Sequence, residues 1–120
     1  MILTEGTQTE VIYFKALIEY AGKTNAFVQP GQSPDPLRLV QEALQFKTES
    51  NVEVWVVLDS EIPGHDPVRD RHLKKAIATA RRFGIHFAIA SPFFEAWLLA
   101  HFDGSKNYNI NKENRFLRTY

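Results

Sequence analysis

A chain of 120 residues with 44% hydrophobic and 23% charged side chains has the size and composition of one globular domain with one core, not of a disordered segment. Its longest apolar runs, "VWVVL" and "FAIA", fall far short of the ~20 residues of a membrane span, and the lack of cysteine excludes disulfides and thiolate metal sites. The net charge of zero hides a division: residues 1–63 carry four Lys/Arg against nine Asp/Glu, and residues 64–120 carry ten against five.

Taken in chain order, "ILT" is a short strand that breaks at Glu5-Gly6. "TQTEVIYFKALIEYAG" predicts a helix, with Val11, Phe14, Leu17 and Ile18 at helical intervals and Gly22 as its stop. Thr7 and Glu10 have the spacing of a capping box, which gives Glu10 a structural role and takes it out of any site. "AFVQ" reads as a second, weak strand. "PGQSPDP" is a loop in which Asp35 caps, and Pro36 opens, a helix from Leu37 to about Thr48, with Leu39, Val40, Ala43, Leu44 and Phe46 mostly on one side.

"VEVWVVL" is the strongest strand, β-branched and nearly continuous in apolar character, as expected when both faces of a parallel sheet are covered. "DPVRDRHLKKAIATARRFG" predicts a helix ending at Gly84, "IHFAIA" a fourth strand, and "SPFFEAWLLAHF" a last helix capped by Ser91 with Pro92 in its first turn. Strands alternating with helices predict a single α/β domain with a mostly parallel sheet flanked by helices. The polar, basic stretch from Gly104 to Tyr120 reads as a tail or an unfinished element, so the domain is expected over 1–103 and the tail over 104–120. "MILTEG" lacks the basic-then-apolar pattern of a secretory signal. With the missing cysteines, this predicts a cytoplasmic protein without a membrane partner.

Sites in open parallel sheets form beyond the carboxyl ends of the strands. Glu5 ends the first strand and Asp59 the third, and Glu61 returns to the side of Asp59 if the chain stays extended. Crowded carboxylates raise one another's pKa unless a cation joins them. With no cysteine and no His at ligand spacing, the cluster of Glu5, Asp59 and Glu61 suits Mg²⁺ or Mn²⁺ rather than zinc. Each acid also has a plain explanation: Glu5 as a favourable charge before a helix, Asp59-Ser60-Glu61 as a polar turn. Glu95 is more pointed, because a charge flanked by Phe93, Phe94, Trp97 and Leu98 needs a partner.

"TEGTQTEVIYFKAL", "VWVVLDSE" and "SPFFEAWLLAHF", in that order from Ile2 to Phe102, resemble the RloB-like family, whose domain belongs to the Toprim superfamily of magnesium-dependent nucleic-acid enzymes. The resemblance implies a compact Toprim-like fold with Glu5 as the first-strand acid, Asp59 and Glu61 as the acidic pair after the third strand, and Glu95 as a late glutamate. It implies metal ligation by Glu5, Asp59 and Glu61, catalytic roles for Glu5 and Glu95, and a nuclease that cleaves phosphodiesters in phage defence or abortive infection. A restriction–modification or defence-system protein would be its partner. The wider superfamily often has two aspartates where this chain has Asp59 and Glu61. The family also has a longer C-terminal part, of which residues 104–120 would be the start.

Gly6 would let the backbone approach a phosphate, and the helix bearing Arg69, Arg71, Lys74, Lys75, Arg81 and Arg82 suits either nucleic-acid backbone contacts or a plain solvated face. Two alternatives stay open. One is a signalling receiver with Asp59 as phosphoacceptor, against which stands the lack of a credible fifth strand. The other is an inert Toprim-like module that binds nucleic acid or a partner protein.

Overall fold

Alternation along the strands sorts the side chains into two cores. The computed structural model describes residues 1–62, 64–91, 93–96 and 98–99, and the strand backbone of 117–119. Its elements are β1 (Ile2–Thr4), α1 (Thr9–Tyr20), β2 (Val28–Pro30), α2 (Pro36–Ser50), β3 (Trp55–Asp59), α3 (Pro67–Phe83), β4 (His86–Ala90) and β5 (Leu117–Thr119). The sheet order is β2-β1-β3-β4-β5, with the first four strands parallel. Residues 94–96 and 98–99 are helical, at the place expected for the last helix. The α/β class and mostly parallel sheet agree with the expectation.

Successive side chains of a strand point to opposite faces. Leu3, Val56, Leu58, Phe87 and Ile89 therefore face α2 and α3, where Leu39, Val40, Ala43, Ala76 and Ala80 complete a buried cluster. The intervening positions, Ile2, Trp55, Val57, Ala88 and Ala90, face Tyr13 and Phe14 of α1 together with Phe94 and Leu98. Tyr13 meets Phe14 and Phe94 edge-on, with ring centroids 5.2 and 5.7 Å apart. Each fully buried apolar side chain of this kind contributes about 1.5–3 kcal/mol.

α2 begins as its sequence predicts, with the Asp35 carboxylate accepting from the Arg38 N–H at 3.2 Å and Pro36 at the first helical position. The same aspartate reaches across to His72 Nδ1 of α3 at 2.6 Å, which ties the two helices of this face together. Burial works against the Asp35 charge, but the His72 and Arg38 contacts outweigh it and hold the carboxyl below the usual range. α1 departs from expectation at its start. It begins at Thr9 with Gln8 as its cap residue and no side-chain cap bond, so the Thr7–Glu10 capping box does not form. Its far end stops at Gly22, whose φ of 66° is left-handed, while the Lys23 N–H closes back to the Ile18 carbonyl at 3.2 Å. Leu17, expected inward, is 46% exposed, whereas Val11 is buried.

The expectation that no strand follows β4 is corrected. Leu117–Thr119 pairs antiparallel with β4, opposite Ala88 to Ala90. Three residues are too short a run for a period of two to be visible in sequence. The expected boundary at 103–104, and Pro92, Trp97 and Phe102, lie outside the described residues. No helix among the described residues is long and apolar enough to cross a membrane.

A candidate metal centre at the carboxyl ends of the strands

The register of β1 against β3 decides which acids meet. Thr4 pairs with Val57, and the ladder continues one step further through the bond from the Glu5 N–H to the Val57 carbonyl at 2.9 Å. Glu5 thus keeps the phase of Leu3 and Leu58, toward α2 and α3, while Asp59 keeps the phase of Val57, toward α1 and the last helical segment. Both stand at one lip of the sheet and line one open crevice of about 410 Å³ with Gly6, Glu10, Pro34 and Glu95.

On the α3 side, the Glu5 carboxylate accepts from the Asp59 backbone N–H at 2.8 Å and pairs with Arg69 Nη2 at 2.9 Å. Arg69 is buried, with its side chain 10% exposed. Its guanidinium also donates to the Asp59 carbonyl at 2.7 Å and the Pro34 carbonyl at 3.0 Å. Glu61 completes the group: its Oε2 lies 3.2 Å from Arg69 Nε, an ion pair without the alignment of a hydrogen bond. The chain does not stay extended to bring Glu61 beside Asp59. Glu61 has φ 56°, and this left-handed turn carries it onto Arg69. Such a conformation is uncommon for a residue with a long side chain. It is bridged locally by the Ser60 hydroxyl donating to the Glu61 carbonyl at 3.0 Å.

On the α1 side, carboxylate oxygens of Glu10, Asp59 and Glu95 lie within 4.8 Å of one another. Glu10 comes from the first turn of α1, Asp59 from the end of β3 and Glu95 from the last helical segment. Asp59 is held by the Phe94 N–H, which donates to its Oδ1 at 2.7 Å. The strand aspartate thereby takes the amide that the expected Ser91 cap would have met, and the Ser91 hydroxyl instead hydrogen-bonds to the Ser60 hydroxyl at 3.0 Å. Gly6 lies beneath the Glu10 side chain, where a Cβ would overlap the Glu10 carboxylate. Among the described residues, no basic side chain pairs with any of these three acids.

The electrostatics follow from this layout. Burial pushes the Asp59 carboxyl from its ordinary 3.8 up to about 7; the Phe94 N–H opposes the shift, and the charges of Glu5, Glu10 and Glu95 add to it. Burial likewise raises Glu10, with the Glu95 charge behind it. Glu5 is raised by burial as well, although the Asp59 N–H and Arg69 pull it back. A divalent cation relieves such a field, and a donor set made only of carboxylate oxygens suits a hard ion.

Of the residues expected from sequence, Glu5, Gly6, Asp59, Glu61 and Glu95 all reach this end of the sheet, divided between two groups. Two others went unread. The capping box assigned to Glu10 does not form; Glu10 is an acid in the first turn of α1, buried beside Val11. Arg69 belongs to a helix whose basic residues read as nucleic-acid contacts or a solvated face, yet it sits in the first turn of α3, beside the acids at the strand ends that need a cation.

The family model described as RloB-like protein matches residues 1–119. No curated protein matches the chain, and no solved structure does.

Proposed function

The chain belongs to the RloB-like family, and from that premise we propose that it is a Toprim-type nuclease that cleaves nucleic-acid phosphodiesters with Mg²⁺ or Mn²⁺. The observation that carries this reading is the convergence of Glu10, Asp59 and Glu95, drawn from three separate elements, without a basic partner among the described residues. Polar side chains at a buried lip tend to be paired, and burial, with neighbouring carboxylates adding to it, raises Glu10 and Asp59, a state that a divalent ion would relieve.

Glu10, Asp59 and Glu95 would hold the ion. When bound, it would polarise a phosphoryl oxygen and acidify a water at neutral pH. Asp59 is oriented for this by the Phe94 N–H and cannot rotate without breaking that bond. Glu95 is exposed on the crevice wall, so it is the acid that substrate would meet first. Arg71, Lys74, Lys75 and Arg82 are exposed on α3, the helix that leaves this lip, and offer sequence-independent contacts to a phosphate backbone. A place in phage defence, which the resemblance implies for the family, extends the proposal to the chain's setting. The receiver alternative is not favoured, because β5 runs antiparallel and so carries no residue toward the lip at its carboxyl end.

The test is incubation of the purified protein with single- and double-stranded DNA and with RNA, in Mg²⁺ or Mn²⁺, beside an Asp59→Asn variant. Cleavage by the wild type alone is the expected result. Equal cleavage by both proteins would assign the activity elsewhere.

A further inference from the structure

We infer that this is a one-cation centre in which the Arg69 guanidinium fills the second cationic position, so that Glu5 and Glu61 act as partners of Arg69 rather than as metal ligands. The inference rests on the reading of the Glu10–Asp59–Glu95 group as a divalent-cation site.

Five carboxylates gather at the lip, and they are not equivalent. Glu5 Oε1 and Glu61 Oε2 are 2.9 and 3.2 Å from guanidinium nitrogens, while Glu5 Oε2 is engaged by the Asp59 N–H at 2.8 Å. Both Glu5 oxygens therefore already have a partner within the fold. The guanidinium itself is anchored on two backbone carbonyls, Pro34 from the loop before α2 and Asp59 from β3, at 3.0 and 2.7 Å. A planar, permanently charged group with several donors suits that fixed fork of carboxylates and carbonyls. Displacing it to admit a second divalent ion would bury a positive charge next to another and strand those carbonyls.

The left-handed backbone at Glu61 fits the same assignment. An extended chain would have turned the Glu61 side chain toward the Asp59 side, and the φ of 56° turns it to Arg69 instead. Arg69 is accordingly a positioning residue: by taking Glu5 and Glu61 out of ligation and holding the Asp59 carbonyl, it confines the ion to the three acids on the α1 side.

Mn²⁺ titration followed by the electron paramagnetic resonance signal of the free ion, with calorimetry, tests this without any assay of activity. One ion per chain is expected for the wild type and none for Asp59→Asn. A Glu5→Gln/Glu61→Gln double variant should keep one ion, with affinity weakened by no more than about 100-fold, as for groups that act through a ligand. An Arg69→Gln variant, once shown folded by circular dichroism, should take up a second ion between the freed carboxylates. Two ions in the wild type, loss of the ion in the double variant, or a folded Arg69→Gln protein that still binds one would overturn the assignment. No ion in the wild type would sink the metal-site reading itself, a distinct result. If Arg69→Gln does not fold, the double variant decides.

Discussion

The two sides of the lip hold acids of the same chemical kind in opposite electrostatic states. Toward α3, Glu5 and Glu61 share the buried guanidinium of Arg69, and their charges are met within the fold. Toward α1, Glu10, Asp59 and Glu95 meet one another, with a backbone N–H on Asp59 but no basic side chain among the described residues. The first group reads as structure, because its charges are balanced by the protein. The second supports the proposed function, because no basic side chain among the described residues meets its charges. Titratable groups whose ionisation is made costly in a crevice are the ones that commonly bind or react.

Removing the balance on the α3 side should have the largest effect on folding. Arg69→Ala leaves Glu5 uncompensated, and breaking a buried pair in this way costs about 3–5 kcal/mol. Urea unfolding measures it, and a loss below about 1 kcal/mol would place the pair among the inconsequential ones. On the α1 side the effect should appear in metal binding. Asp59→Asn should weaken Mn²⁺ binding by more than about 100-fold, beyond what a residue acting through a ligand removes. The same substitution should leave the fold close to intact, since the amide oxygen still accepts from the Phe94 N–H.

The pH dependence separates the groups further. Asp59 holds its proton up to about 7 when folded and to about 3.8 when unfolded, so between those values the native state binds more protons. Stability of the metal-free protein should therefore fall as pH rises from about 4 to 7 and level off above. The raised Glu5 and Glu10 act in the same direction. Asp35 acts oppositely: its lowered pKa contributes stability above the ordinary carboxylate range, and this is lost as the pH drops below it. Melting curves across this range, with Asp59→Asn showing a shallower slope, check the sign; a flat wild-type profile would contradict it. Added Mg²⁺ should restore melting temperature most above about pH 7, where Asp59 is ionised.

Glu61→Gly should have the smallest effect. It relieves a left-handed non-glycine conformation worth about 1 kcal/mol and gives up an ion pair whose Glu61 side chain is 39% exposed, itself worth about as little. A change in unfolding free energy well beyond 1 kcal/mol in either direction would show that Glu61 does more than accompany Arg69.

Much of the fold was legible before the structure. "VEVWVVL" reads as a strand covered on both faces, which β3 is from Trp55 onward, while Val52 and Glu53 lie exposed before it; Asp35-Pro36 reads as a helix start, which it is. Strands ending in acids point to Glu5 and Asp59, and a charge among apolar neighbours points to Glu95. Glu10 and Arg69 did not stand out, because each had a sufficient local explanation: a capping-box spacing for one, a basic amphipathic helix for the other. β5 was missed because three residues carry no period.

Sequence by itself determined the first four strands, the helices between them and the acids at the carboxyl ends of β1 and β3, since patterning acts over a few residues, whereas β5 is too short to carry a pattern. Only tertiary structure decided how those acids divide. The pleat phase of β1 relative to β3, and the reach of Arg69 from α3, are set by packing two faces of one sheet at once, across separations over which no local propensity acts.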